Sequence, residues 1–182
     1  MDEIEVKVLN IDKEEIQNKL IKLGATLLKD EEQTNIRFDS EDKFLRNKYK
    51  GYLRIRTTKN NLTGETISTL TLKRNISRDE FRVNEEIETQ ILNVDETIRI
   101  LKALRYYPKA PGKKLRKSYL YDGILFEIDE WDKDIYPEPY LEIEVTNKKD
   151  LERAIELLGL DRKNISAKSI DELIKERWFR RD

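Results

Sequence analysis

Hydrophobic and polar residues alternate along much of this chain with the two-residue period of a half-buried strand. Residues 3–7 read EIEVK, and residues 141–145 repeat the pattern as LEIEV. Because successive side chains of a strand point to opposite faces, the aliphatic residues share one face and the charged residues share the other. The pattern predicts strands at about residues 2–9, 33–38, 51–58, 66–74, 82–91, 113–121, 124–131 and 140–146.

Helical spacing of apolar residues, bounded by capping residues, predicts four helices elsewhere in the chain. Side-chain oxygens of Asp, Asn and Ser cap helix starts, and Gly commonly follows helix ends. In the last helix, Ser169 and Glu172 have the spacing of a capping box. The predicted helices run from Asp12 to Gly24, from Asn93 to just before Pro108, from Asn147 to Gly159 and from Ser169 onward.

The connecting segments contain one strong turn signal. Asp122 and Gly123 separate two alternating runs, and Gly tolerates the positive φ of a type I′ turn, so a tight hairpin is predicted there. The polar or Gly- and Pro-containing segments 39–50, 59–65 and 106–113 are predicted to be loops within a domain. With 182 residues, the chain fits a single domain over residues 1–182.

The charged strand faces recur in most of the predicted strands, and this recurrence changes their interpretation. A single charged face is ordinarily the solvent side of an antiparallel sheet. Here the opposite face is strongly aliphatic, and the predicted helices each offer one apolar stripe to cover it. The simplest arrangement is an α+β fold in which a closed antiparallel β-barrel, or tunnel, of about eight strands keeps its charges inside and its helices outside.

Composition narrows the chemistry of such a tunnel. The chain contains no His and no Cys, which excludes Ser-His-Asp catalysis, cysteine nucleophiles and zinc sites built on these residues. Any metal would be held by carboxylates, which favours Mg²⁺, Mn²⁺ or Ca²⁺. A net charge of −1 is unlike that of a typical nucleic-acid binder. With no membrane-length apolar run and no secretory signal, we expect a cytoplasmic protein with neither nucleic-acid nor membrane partners.

The presence of both signs of charge in one cavity indicates the kind of ligand. Buried ions are costly unless they pair with one another, with a metal or with a ligand. Arg and Lys suit phosphate oxygens, and paired carboxylates suit divalent ions that bridge phosphates. A polyphosphate with one or two metal ions satisfies both groups.

Charged residues recur in a fixed order along the predicted strands, from residue 3 to about residue 145. They are Glu3, Glu5 and Lys7 in an ExExK string, Arg54 and Arg56, Lys73, Glu86 and Glu88, Lys114 and Arg116, Asp129, and Glu142 and Glu144. This ordered set resembles the CYTH superfamily of triphosphate tunnel metalloenzymes, which includes class IV adenylyl cyclases, thiamine triphosphatases and inorganic triphosphatases.

The resemblance implies a role for each of these residues. The implied metal ligands, for one or two Mg²⁺ or Mn²⁺ ions, are Glu3, Glu5, Asp129, Glu142 and Glu144. The implied triphosphate contacts are Lys7, Arg54, Arg56, Lys73, Lys114 and Arg116, with Lys168 near the last helix closing the site. The implied catalytic residues are Lys7, Glu86 and Glu88, the acidic pair assisting metal or water positioning. Glu127 has no firm counterpart, and a structural role is open to it.

Three functions stay open at this point. The leading hypothesis is hydrolysis of the terminal phosphoanhydride of tripolyphosphate, ATP or another organic triphosphate. The alternative is cyclisation of ATP to cyclic AMP, since no purine-reading motif separates the two reactions. A non-catalytic polyphosphate- or nucleotide-binding module is disfavoured, because an anion binder gains nothing from carboxylates unless a metal lies between them. A homodimer is expected from the resemblance alone.

Overall fold

The computed structural model of the chain describes residues 4–77 and 83–179. Its elements form an α+β fold in which one large sheet carries helices on its surface. The strands are β1 (Ile4–Val8), β2 (Thr26–Asp39), β3 (Tyr52–Asn60), β4 (Thr66–Ser77), β5 (Val83–Ile91), β6 (Tyr107–Pro108), β7 (Gly112–Tyr121), β8 (Ile124–Trp131), β9 (Tyr140–Val145) and β10 (Ile165–Ser166). The helices are α1 (Lys13–Lys22), α2 (Phe44–Tyr49), α3 (Val94–Ala103), α4 (Lys148–Leu158) and α5 (Ile170–Phe179).

The sheet is antiparallel and strongly curled. Its strand order is β10-β1-β9-β8-β7-β2-β3-β4-β5, with β6 paired to the end of β2. Lys73 on β4 and Glu5 on β1 are six positions apart in this order, roughly 29 Å in a flat sheet. Their Nζ and Oε2 atoms are nevertheless 3.9 Å apart. Within the described residues no backbone pairing joins β5 to β1 or β10, so closure of the barrel stays a prediction.

The two faces of the sheet divide as the alternation predicts. The convex face of β1, β9, β8 and β7 packs against α1 and α4, with Phe126, Leu141 and Ile143 fully buried. A second apolar cluster joins Phe38 and Ile55 to α3. Burying this apolar surface is the main source of stability. The same packing leaves the charged face on the concave side of the sheet.

The predicted helix caps and hairpin are confirmed. The side chain of Asp12 accepts backbone hydrogen bonds at the start of α1, and Gly159 ends α4 with a φ of 63°. At α5, the Glu172 carboxylate accepts from the Ser169 backbone N–H at 2.8 Å, which completes the capping box. The hairpin between β7 and β8 turns at Asp122 and Gly123, whose φ angles are 48° and 78°.

The structure departs from the predicted elements in β2 and in the segment that follows it. β2 begins at Thr26 rather than near residue 33, because its register with β7 shifts between Leu27 and Lys29 and this irregularity breaks the alternation. The predicted loop over 39–50 contains α2, whose backbone N–H groups at Leu45 and Arg46 donate to the Asp39 carboxylate. The two-residue strands β6 and β10 are too short to produce a period.

Two elements close one end of the concave face. α5 packs through Ile170 and Leu173 against Tyr136 and Tyr140. At the start of β3, Gly51 is so close to β4 that an added Cβ would lie 1.9 Å from a backbone oxygen. This contact holds α2 and β3 beside the cavity.

Among the described residues, no helix combines the length and apolar character needed to cross a membrane.

Candidate active site

The concave face of the sheet lines a cavity of about 920 Å³. Ten of the fourteen residues that the sequence analysis selected contribute to its wall. Among the remaining four, Glu88, Asp129 and Lys168 do not line the cavity, and Glu3 lies outside the described residues. The ten are Glu5, Lys7, Arg54, Arg56, Lys73, Glu86, Lys114, Arg116, Glu142 and Glu144.

Three carboxylates come together on β8 and β9. Glu127 and Glu142 are opposite each other in the strand register, and Glu144 follows two residues along β9. One oxygen of each can be chosen so that all three lie within 4.8 Å of one another. Burial, followed by repulsion from Glu127 and Glu142, raises the pKa of Glu144 to about 8. A divalent cation bound there would relieve this repulsion, so the donor set fits a hard metal ion.

Glu127 is the member of this cluster that the sequence reasoning missed. Its parity with Asp129 placed it on the charged face, but only the pairing of β8 with β9 puts it opposite Glu142. Glu127 is 2% exposed, and its carboxylate pairs with Arg116. In the sequence, the signal for Glu127 was its position on the charged face of the alternating pattern.

Asp129, which the resemblance implies as a metal ligand, has both carboxylate oxygens bound to cations. Its Oδ1 accepts from Arg116 Nε at 2.6 Å, and its Oδ2 accepts from Lys114 Nζ at 2.8 Å. Asp129 is completely buried. Against the effect of burial, Arg116 and Lys114 hold the pKa of Asp129 below its usual value. In this structure Asp129 is the shared counter-ion of Lys114 and Arg116.

Arg116 is the centre of the buried ion-pair network. It contacts Glu127, Asp129 and Glu142, with its Nη2 2.5 Å from Glu142 Oε2. Lys114 beside it has a pKa lowered to about 8, because burial and repulsion from Arg116 outweigh the attraction of Asp129. An anion in the cavity would raise the pKa of Lys114 again and favour its charged form.

A second group of ion pairs links β1, β4 and β5. Lys7 pairs with Glu5 and lies 2.6 Å from Glu142 Oε1. Burial would lower the pKa of Lys7, but Glu142 and Glu5 reverse that effect and raise it. Lys73 Nζ lies 2.6 Å from Glu86 Oε1, so Glu86 is a counter-ion within the cavity.

Two other residues of the predicted site, Glu88 and Lys168, do not line the cavity. Glu88 is exposed on β5 and accepts a hydrogen bond from Thr71 Oγ1 at 2.6 Å. Lys168 is also exposed, with its Nζ 2.5 Å from Glu176 Oε1. The basic residue that α5 contributes to the cavity wall is instead Lys175. Further cavity cations that the sequence reasoning did not select are Lys29, Arg37, Arg46, Lys50 and Lys109.

We expect the metal-free protein to lose stability as pH rises from 4.5 to about 8, the ordinary and shifted pKa values of Glu144. In that range folded Glu144 keeps a proton that the unfolded chain has released, so the free energy of unfolding falls with rising pH, by a few kcal/mol. No His titrates in this window. Denaturant unfolding in EDTA across the window measures the slope. Glu144→Gln should flatten it, and an unchanged slope in that variant would contradict the assignment.

Comparison with known proteins identifies the family of the chain. The chain belongs to the CYTH family, since the CYTH domain model matches residues 1–170. A protein of Methanocaldococcus jannaschii named "Putative adenylate cyclase" is 30% identical over 95% of this chain and 98% of its own length.

Solved structures extend this comparison. The PH1012 protein of Pyrococcus horikoshii has a TM-score of 0.74 and 27% identity, over 95% of this chain and 99% of its own. A protein of Hippeastrum, described as a putative adenylyl cyclase with a dominant triphosphatase activity, has a TM-score of 0.68 and 19% identity over 97% of this chain and 96% of its own. At that identity, the second likeness shows the fold alone.

Proposed function

We propose that this protein is a divalent-metal-dependent triphosphatase that binds a triphosphate in the cavity and hydrolyses its terminal phosphoanhydride. The observation that carries the proposal is the carboxylate cluster of Glu127, Glu142 and Glu144, which lies in the same cavity wall as a row of cations. Neither group alone identifies the ligand. A chain of phosphates with its metal ions is the ligand that would neutralise both.

The cations of the chain would bind and orient the phosphates. Arg116 and Lys114 are held by Asp129, and Lys7 is held by Glu5 and Glu142, so each cation is fixed before the ligand arrives. Phosphoryl transfer depends mainly on positioning and on neutralising charge, and it needs no His. Prepositioned cations therefore supply most of what the reaction requires.

Glu127, Glu142 and Glu144 would hold Mg²⁺ or Mn²⁺. Glu5 pairs with Lys7 and Lys73, and it would give up one of these lysines to bind the metal as a further ligand. A divalent ion bound there would stabilise charge on phosphate oxygens and lower the pKa of an attacking water. The carboxylates fix where that chemistry occurs, at the β8 and β9 wall.

The homodimer and the single domain over residues 1–182 stay predictions.

Cyclisation of ATP is the second candidate, and the M. jannaschii relative with its adenylate cyclase name favours it. The two reactions use the same phosphate and metal contacts and differ in the attacking group, which is water in hydrolysis and a ribose hydroxyl in cyclisation. A cavity of about 920 Å³ can admit a nucleoside as well as a triphosphate. The cavity size therefore excludes neither reaction.

Product analysis separates these functions. Purified protein would be incubated with tripolyphosphate or ATP and with Mg²⁺ or Mn²⁺, and the products separated. We expect orthophosphate. Cyclic AMP with pyrophosphate would establish the cyclase instead, and tight polyphosphate binding without either product would establish a binding module. Glu142→Gln, purified in the same way, is the control for contaminating phosphatases, and activity that persists in it would not belong to this site.

A further inference from the structure

Arg56 differs from the cations of the ion-pair network in having no carboxylate partner among the described residues. Lys7, Lys73, Lys114 and Arg116 each pair with at least one acid. Arg56 instead makes a side-chain contact with a neutral group, donating from its Nε to Asn35 Oδ1 at 2.9 Å. Arg56 lines the cavity and is directly opposite Asn35 in the register of β2 and β3.

This contact fixes the orientation of the Asn35 amide. A guanidinium can only donate hydrogen bonds, so the amide oxygen must face Arg56 and the NH₂ group must face away from it. Asn35 is 4% exposed and lines the cavity, yet its Nδ2 has no hydrogen-bond partner. The structure therefore buries a donor whose direction is set and whose acceptor is missing.

A second buried donor on the same wall also lacks an acceptor. Arg54 is 7% exposed and precedes Arg56 by two residues on β3, and its Nε has no partner. A buried donor left without an acceptor is unfavourable, because it has lost its hydrogen bonds to water and gained none in return. Two such donors beside an unpaired guanidinium favour an occupant with several acceptor oxygens and a negative charge, which a phosphate group provides.

We propose that Asn35 is a substrate-binding residue whose NH₂ group donates to a phosphate oxygen held between Arg54 and Arg56. The proposal rests on the proposed function and adds a neutral contact to it. The donors of this subsite lie on β2 and β3, whereas the carboxylate cluster lies on β8 and β9. The phosphate in the subsite is therefore bound by protein donors and does not need a divalent cation.

Asparagine suits this position better than a charged donor would. Burial, followed by repulsion from Arg54 and Arg116, already lowers the pKa of Arg56. A lysine at position 35 would add a further positive charge to this group. The amide instead orients Arg56 through its oxygen and binds the ligand through its nitrogen. The same residue therefore couples the direction of Arg56 to the presence of the phosphate.

The test uses Asn35→Asp, which keeps an oxygen for Arg56 Nε, removes the donor and adds a negative charge. We expect the KM for tripolyphosphate to rise at least about tenfold and kcat to change by less than about threefold, with the melting temperature unchanged or raised. Asn35→Leu has a similar size and no charge, and it removes both the NH₂ donor and the oxygen that orients Arg56. It should also raise KM, which shows that added repulsion is not the cause of the effect.

Asn164→Asp is the matched control. The Asn164 Oδ1 accepts from Asn10 Nδ2 at 3.1 Å, a contact that Asp can keep, and the residue does not line the cavity. This variant adds the same charge elsewhere, so its KM should match that of the wild type.

Calorimetric titration with tripolyphosphate in EDTA provides a readout that does not depend on turnover. The wild type should bind without metal, and Asn35→Asp and Asn35→Leu should bind at least about tenfold more weakly. Equal binding by wild type and both variants would overturn the role of Asn35 and leave the proposed function standing, with a water molecule as the occupant of the donors. A wild type that neither binds nor hydrolyses tripolyphosphate or ATP would overturn both proposals.

Discussion

Glu144→Gln is expected to reduce turnover of tripolyphosphate by about 100-fold or more while the protein stays folded. Glu144 is the member of the carboxylate cluster that has no cation partner among the described residues, so its carboxylate is available to a metal, which would displace its proton and restore its charge. Glutamine keeps the volume and removes that charge. Loss of one principal electrostatic group in an active site typically has an effect of this size. Steady-state kinetics with Mg²⁺ measures it, and circular dichroism checks the fold.

The matched control for this variant is Glu130→Gln on the same strand. Glu130 faces away from the cavity and pairs with Lys13 at the surface, with Nζ and Oε2 2.5 Å apart. Its turnover should stay within twofold of the wild type, since the pair is exposed and weak. Full activity in Glu144→Gln would show that the cluster does not hold the catalytic metal. A loss of activity with a matching loss of the folded state would instead indicate a structural role.

Alternation was sufficient to predict which side chains share the concave face. A period of two assigns each residue of a strand to one face whatever the strand order, so Glu142, Glu144, Arg54 and Arg56 could be placed from local pattern alone. The helix caps at Asp12 and Ser169 are equally local, because each depends on residues within four positions of one another. These parts of the fold follow from short-range physics.

The partners within the cavity could not be predicted in this way, because they depend on strand order and register. Glu127 lies in the carboxylate cluster because β8 pairs with β9, which places it opposite Glu142. Asp129 lies outside the cluster because β8 also pairs with β7, which places it opposite Arg116. The two residues have the same parity and the same charge. Only their cross-strand neighbours differ, and a linear pattern does not contain those neighbours.

Position along a helix is a second limit on sequence reasoning. Lys168 precedes α5, and its ammonium pairs with Glu176 further along that helix. Lys175, about one and a half turns into α5, lines the cavity instead. Which residue of α5 reaches the cavity depends on how Ile170 and Leu173 seat the helix against Tyr140. That seating is a tertiary contact, so charge and approximate location were not enough to identify the residue.

Arg116→Met is expected to lower the free energy of unfolding by about 3–5 kcal/mol, the cost of leaving a buried charge without its partner. Methionine fills a similar volume, so the loss comes from Glu127, Asp129 and Glu142, which stay buried without their shared cation. Denaturant unfolding at neutral pH measures the change. Arg99→Met is the control. Arg99 is 75% exposed and, among the described residues, pairs with Glu96 in its own helix, so its removal should cost no more than about 0.5 kcal/mol.

The pH dependence of Arg116→Met distinguishes lost charge pairing from lost packing. Arg116 helps to lower the pKa values of Asp129 and Glu142, and without it burial and mutual repulsion would raise these pKa values above those of the unfolded chain. The folded state then binds more protons than the unfolded state, so the variant should recover stability relative to the wild type as pH falls from neutrality towards 5. A deficit that stays constant over this range would mean that Arg116 contributes by packing. The ion-pair network would then not be what keeps Asp129 and Glu142 charged inside the sheet.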